Sequence, residues 1–132
     1  MRTSLYIAIF IVVAACVSYA QDDTVKQSAK NGKKEITITG EVVDLKCAMT
    51  GMMGGSGEDH KQCAIDCMKG GLPVAILEDK TNNVYPVVPL KGMQSANAEL
   101  MQYAAQKVTL TGKLYDKNGQ KLFIYTKVDQ VK

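Results

Sequence analysis

The sequence predicts a mainly β domain: a five-stranded closed barrel, with a cysteine-bearing helix inserted between strands 1 and 2 and a second helix between strands 3 and 4. Three observations predict it. Five short stretches separated by turn residues read as strands, with apolar residues alternating at period two in the first and in the last two. Two stretches with helical spacing fall after the first and third of these. Five short strands cannot bury a core as an open sheet, and closure removes exposed edges.

The chain of 132 residues opens with Arg2 and then an apolar run over 5–17. One positive charge, a short apolar core and small residues at Ser18 and Ala20 read as a secretory signal peptide over 1–20, cut before Gln21. The run is short for a transmembrane helix, which needs about 20 apolar residues. Val13-Ala14-Ala15-Cys16 also fits a bacterial lipobox, in which Cys16 is lipidated and becomes the first mature residue. Both versions place the folded domain outside the cytoplasm, periplasmic or secreted. Residues 21–34 are polar and lysine-rich and read as a flexible lead-in. The domain itself is assigned to 35–132.

Each element then follows in order. Ile36 and Ile38 alternate with Thr37 and Thr39; after Gly40 the apolar phase shifts to Val43, Leu45 and Cys47. A phase change beside a glycine predicts a bulge or sharp bend in one long strand, which can serve both sides of a small barrel. Residues 48–57 carry too much glycine for regular structure. Ser56, three before Asp59, predicts a capped helix over 57–69, stopped by Gly70-Gly71. Residues 72–78 and 84–88 read as strands around an Asn-containing turn, with Pro86 making the second an edge or an irregular strand. Ser95 predicts a helix to 106 with an apolar face including Ala98, Met101 and Ala105. Strands over 107–115 and 120–128 flank the hairpin turn Asp116-Lys117-Asn118-Gly119. Apart from the inserted helix, this is the element order of an OB-fold barrel, whose first loop is a usual binding loop.

Charge narrows the function classes. The leader carries one of the 16 basic residues and none of the 13 acidic ones, so the rest of the chain stands at +2. That argues against nucleic acid, and leaves lipidation of Cys16 as the only route to a membrane. Six further signatures are missing. There is no Cys-x2-Cys-His for haem, no thioredoxin-type Cys-x2-Cys, no phosphate-binding Gly-Lys-Ser/Thr for a nucleotide, no serine triad, no paired carboxylates for glycoside hydrolysis and no tryptophan. Asp44, Glu58, Asp59, Asp66, Glu78 and Asp79 read as solvated surface. Nothing in the pattern demands an enzyme.

What remains is Cys47, His60, Cys63 and Cys67, spaced Cys-x12-His-x2-Cys-x3-Cys. These are all the cysteines beyond the leader, and His60 is the only histidine. On a helix, His60, Cys63 and Cys67 form one stripe. Cys47, at a strand end, is positioned for the glycine-rich loop to bring it over that stripe. Three thiols and an imidazole make a tetrahedral set for Zn(II) or Cu(I). Met49, Met52 and Met53 are possible auxiliary thioether ligands for Cu(I), or simply loop fillers. The other readings are a disulfide from Cys47 to Cys63 or Cys67, and a reactive thiol beside His60. Cys63–Cys67 would need a broken helix, because i,i+4 Cβ atoms stand about 5–6 Å apart and a disulfide needs about 3.5–4.5 Å. The leading expectation is a non-enzymatic soft-metal-binding protein. The alternative is a disulfide-stabilised interaction module of the cell envelope, acting through an envelope protein partner.

The segments 40–47 (Gly-Glu-Val-Val-Asp-Leu-Lys-Cys), 60–67 (His-Lys-Gln-Cys-Ala-Ile-Asp-Cys), 71–74 (Gly-Leu-Pro-Val) and 108–112 (Val-Thr-Leu-Thr-Gly) resemble a group of small secreted bacterial proteins. These share a strand ending in cysteine, a His-x2-Cys-Ala-x2-Cys helix and a Gly-x-Pro-Val strand. The resemblance covers roughly residues 40–128. It implies an OB-fold-like domain outside the cytoplasm and no particular activity.

Overall fold

A computed structural model describes residues 34–131. The expected signal peptide, Cys16 and almost all of the polar lead-in lie outside the described residues. Among those described, no helix is long and apolar enough to cross a membrane.

The five expected strands form a closed barrel in the order β1-β2-β3-β5-β4, back to β1. They are β1 Ile36–Asp44, β2 Val74–Glu78, β3 Val84–Pro89, β4 Lys107–Lys117 and β5 Gln120–Gln130. All neighbours pair antiparallel except β3 with β5. β1 does serve both sides of the barrel: 36–41 pair with β4 and 40–44 with β2. Gly40 sits where the two ladders overlap. A Cβ there would collide with the Leu77 carbonyl, so the close approach requires glycine. Gly112 has the same relation to the Ile124 carbonyl, next to a register shift in the β4–β5 ladder. Pro86 stands at the hand-over where β3 leaves β2 and begins pairing with β5, so its missing N–H falls at an irregular point of the ladder.

The barrel core contains Ile38, Val42, Ile76, Val108, Leu110 and Phe123, all 3% exposed or less. Burial of each large aliphatic or aromatic side chain contributes about 1.5–3 kcal/mol. The β4–β5 turn is tight, with Asn118 at φ 55° and Gly119 at φ 85°. Two left-handed residues suit a two-residue hairpin, so both strands run closer to the turn than the sequence pattern predicts.

Three helical expectations are corrected. The first strand ends at Asp44, and Cys47 lies in a short helix, α1 Leu45–Thr50, not at a strand end. Asp44 causes this: its Oδ1 accepts the Cys47 N–H at 2.9 Å and caps the helix. Residues 48–57 are therefore only partly irregular, since α1 is followed by a 3-10 turn over Met52–Gly54. The helix expected over 57–69 divides into a 3-10 turn, Glu58–His60, and α2 Lys61–Lys69. Ser56 does not cap it; the Gly57 N–H donates instead to Glu41 Oε1 at 2.6 Å. Its end is as expected, with Gly70, Gly71 and Leu72 N–H groups bonding back to Asp66, Met68 and Cys67.

The helix expected from Ser95 to 106 stops after α3 Asn97–Leu100 and a 3-10 turn to Tyr103. Tertiary pairing overrides its good propensity. Ala104 bridges Val42, Ala105 N–H donates to the Val42 carbonyl at 2.9 Å, and Val42 N–H donates to the Gln106 carbonyl at 3.0 Å. Asn97 ties this element to the end of α2. Its Nδ2 donates to the Met68 and Leu72 carbonyls at 2.9 and 2.7 Å, and its Oδ1 accepts Val74 N–H at 3.2 Å.

Candidate metal centre

α2 has two working faces. Ala64 and Met68, an i,i+4 pair, are buried in the barrel core. Cys63 and Cys67, each one residue earlier, project to an adjacent side and are half-buried. α1 packs against β1, β2 and β3 and brings Cys47 to that side. Val43 and Ala75 face each other across β1 and β2 and are buried outside the main core. Cys47 is likewise buried outside the main core. The site therefore rests on the barrel wall, and α1 and α2 close over it.

Cys47, His60 and Cys63 offer ligand atoms that lie within 4.8 Å of one another. Asp44, Cys47 and Cys67 form a second such group, so the two sets share Cys47. All three sulfurs are free thiols. The four residues expected from the sequence are thus neighbours, but Cys67 groups with Asp44 and not with His60.

Asp44 is the residue that sequence reasoning misplaced. Read as solvated surface, it is fully buried. His60 is 2% exposed. The two are joined: His60 Nε2 stands 2.9 Å from Asp44 Oδ2. His60 Nδ1–H donates to the Met53 carbonyl at 3.0 Å. Both ring nitrogens meet acceptors, so both hydrogen bonds are complete only when the ring carries two N–H groups. The one sequence signal for Asp44 is its place three residues before Cys47, the spacing of an N-cap. The glycines that follow hid the helix it caps.

The local electrostatics favour the protonated thiol at Cys47 and Cys67. Burial, followed by the Asp44 carboxylate and the neighbouring Cys63, pushes Cys47 up to about 12. Burial, Asp44 and Cys63 also raise Cys67 above the ordinary thiol range. Burial opposes ionisation of Asp44, but the Cys47 N–H and the His60 ring outweigh it and hold the carboxyl below its ordinary value. A negative buried carboxylate beside protonated thiols is a place where a cation replaces protons at little geometric cost.

The donor chemistry fits a soft or borderline ion. Thiolate–zinc bonds are about 2.3 Å, which places tetrahedral sulfurs on one ion about 3.8 Å apart, a spacing compatible with groups whose ligand atoms lie within 4.8 Å. His60 can join through Nε2 if Asp44 releases it, and the Met53 carbonyl would then keep the other nitrogen oriented. Met49, Met52 and Met53 are exposed by 66, 51 and 72%. No family model matches the chain, and neither a curated protein nor a solved structure matches it.

Proposed function

We propose that this is an extracytoplasmic binding protein, not an enzyme, that holds one soft metal ion, Cu(I) or Zn(II), through Cys47, His60, Cys63 and Cys67. The observation that carries the reading is the convergence of three free thiols, an imidazole and a carboxylate in two groups sharing Cys47, each within 4.8 Å. Thiolates select such ions over hard cations. Asp44 serves as the positioning residue of the metal-free site: one oxygen fixes the Cys47 turn, and the other holds the His60 ring until its Nε2 passes to the ion. The rigid barrel holds these groups in place with little ordering cost on binding. The ion's role is structural closure or carriage of cargo, and an envelope protein is the partner that a carrier would need.

The test is metal content and free-thiol count together, on protein exported to its native compartment and purified without chelator. About one equivalent of copper or zinc with three protected thiols supports the reading. Loss of binding in a Cys47→Ser, Cys63→Ser double variant assigns it to this site. No metal, with one disulfide and one free thiol, overturns it in favour of a disulfide-stapled interaction module.

A further inference from the structure

We infer that Met49, Met52 and Met53 form an outer loading port for Cu(I), which receives the ion before it reaches the buried thiols; this rests on the metal-binding reading above. Seven large apolar side chains are well exposed among the described residues, and three of them are these methionines, within five consecutive positions. A solvent-facing loop has no packing reason to collect thioethers. These three lie on the segment that walls the site. Met49 is two residues after Cys47 and in the same short helix. Met53 reaches the site through its backbone, since its carbonyl accepts the His60 Nδ1–H at 3.0 Å.

The backbone at Met53 separates these two tasks. Its φ of 54° is left-handed, a conformation that few non-glycine residues adopt. It holds the carbonyl on the buried ring while the side chain stands 72% exposed. Gly51, Gly54 and Gly55 around it also have positive φ, so every residue of 51–55 except Met52 is left-handed. Exposure then falls inward in order: exposed thioethers, half-buried Cys63 and Cys67, and Cys47 at 1%.

Thioethers bind Cu(I) and have little affinity for Zn(II). They carry no proton, so they can take a soft cation without the proton release that thiols require. Transfer inward is a ligand exchange. Copper–thioether bonds break, copper–thiolate bonds form, the thiol protons pass to solvent, and copper stays in the +1 state throughout. No oxidant or reductant is consumed.

The test uses the full chain with reduced thiols and Cu(I) offered as its bicinchoninate complex. Uptake rate and equilibrium affinity are measured for wild type and for Met49→Leu, Met52→Leu, Met53→Leu combined. Leucine keeps the size and apolarity and removes the sulfur. The expected result is uptake slowed on the order of tenfold or more, because captured ion is held at high local concentration beside the thiols. Affinity should be unchanged, as should Zn(II) uptake. Met93→Leu, more exposed still but elsewhere in the chain, should change nothing. An unchanged Cu(I) rate overturns the port, and so does affinity falling in parallel with rate, which would make the thioethers part of the final site. Wild type that takes Zn(II) but no Cu(I) overturns the port while leaving the metal site standing. Wild type that takes neither ion overturns both.

Discussion

Asp44 Oδ2 and His60 Nε2 lie 2.9 Å apart with both side chains essentially out of water. The carboxylate's other oxygen caps α1 through Cys47 N–H, so one residue ends β1, starts the helix and orients the ring. Removing it leaves a buried donor at Cys47 and a buried ring without its partner. Asp44→Ala should therefore cost about 3–5 kcal/mol. Lys61→Ala, which breaks only the exposed pair with Glu58, should cost under about 1 kcal/mol. Urea unfolding of the metal-free protein measures both, and equal losses would show that the buried pair has no special weight.

The same pair sets the acid limit of the fold. Asp44 titrates below its ordinary 3.8 in the folded chain, so its contribution is complete above 3.8 and disappears as pH falls through the lower folded value. Stability measured from pH 6 downward should fall in that acid window. Asp44→Asn should flatten that part of the curve whatever its overall stability; an unaltered slope would assign acid sensitivity to other groups.

The cysteines should react in order of access. Cys63 and Cys67 are half-buried, whereas Cys47 is 1% exposed and titrates near 12. At mildly alkaline pH an aromatic disulfide reagent should modify Cys47 last, and at a rate limited by opening of the structure. Mass mapping of time points identifies the order, and early labelling of Cys47 would contradict the buried placement. In the metal-free fold the protonated thiol also favours the folded state up to pH 9.0, a contribution lost as pH rises from there toward about 12.

Metal affinity should rise with pH. Cys47 and Cys67 are both held protonated, and each must lose its proton to become a thiolate ligand. The protons released from these two thiols alone strengthen apparent binding by at least about a hundredfold per pH unit between roughly pH 6 and 8, and Cys63, also a free thiol, adds to the slope. Competition titrations at several pH values read the slope, and a flat response would mean that neither thiol binds as thiolate.

Two substitutions far from the thiols test the scaffold. Gly40→Ala drives a Cβ into the Leu77 carbonyl and should cost about 1–3 kcal/mol or prevent folding. Asn97→Ala removes three hydrogen bonds joining α3, the α2 end and β2, at about 0.5–1.5 kcal/mol each. If either variant melts like wild type, the contact does not support the barrel.

The strands were legible because alternation and turn chemistry are local. Thr37 and Thr39 between isoleucines, and Asn118-Gly119 between two β runs, settle their own conformations over a few residues. Gly40 was legible as the point about which β1 serves both sides of the barrel, and the chain order was enough to place two helices between the right strands. The cluster of Cys47, His60, Cys63 and Cys67 was legible as a candidate site because no other chemistry-bearing residues compete with it.

Local pattern fails where a distant group supplies the deciding bond. Residues 101–106 favour helix, but Val42, far away in sequence, offers the chain a strand partner and takes it. Asp44 looks like any surface aspartate, and only the folding of residues 45–60 back over β1 buries it against His60. The sequence by itself determined a barrel and the residue types of a candidate metal site, since both follow from periodicity and composition. Tertiary structure alone decided which donors face each other, that a buried carboxylate belongs among them, and that the methionines stay outside, because burial and hydrogen-bond satisfaction are set by contacts between segments distant along the chain.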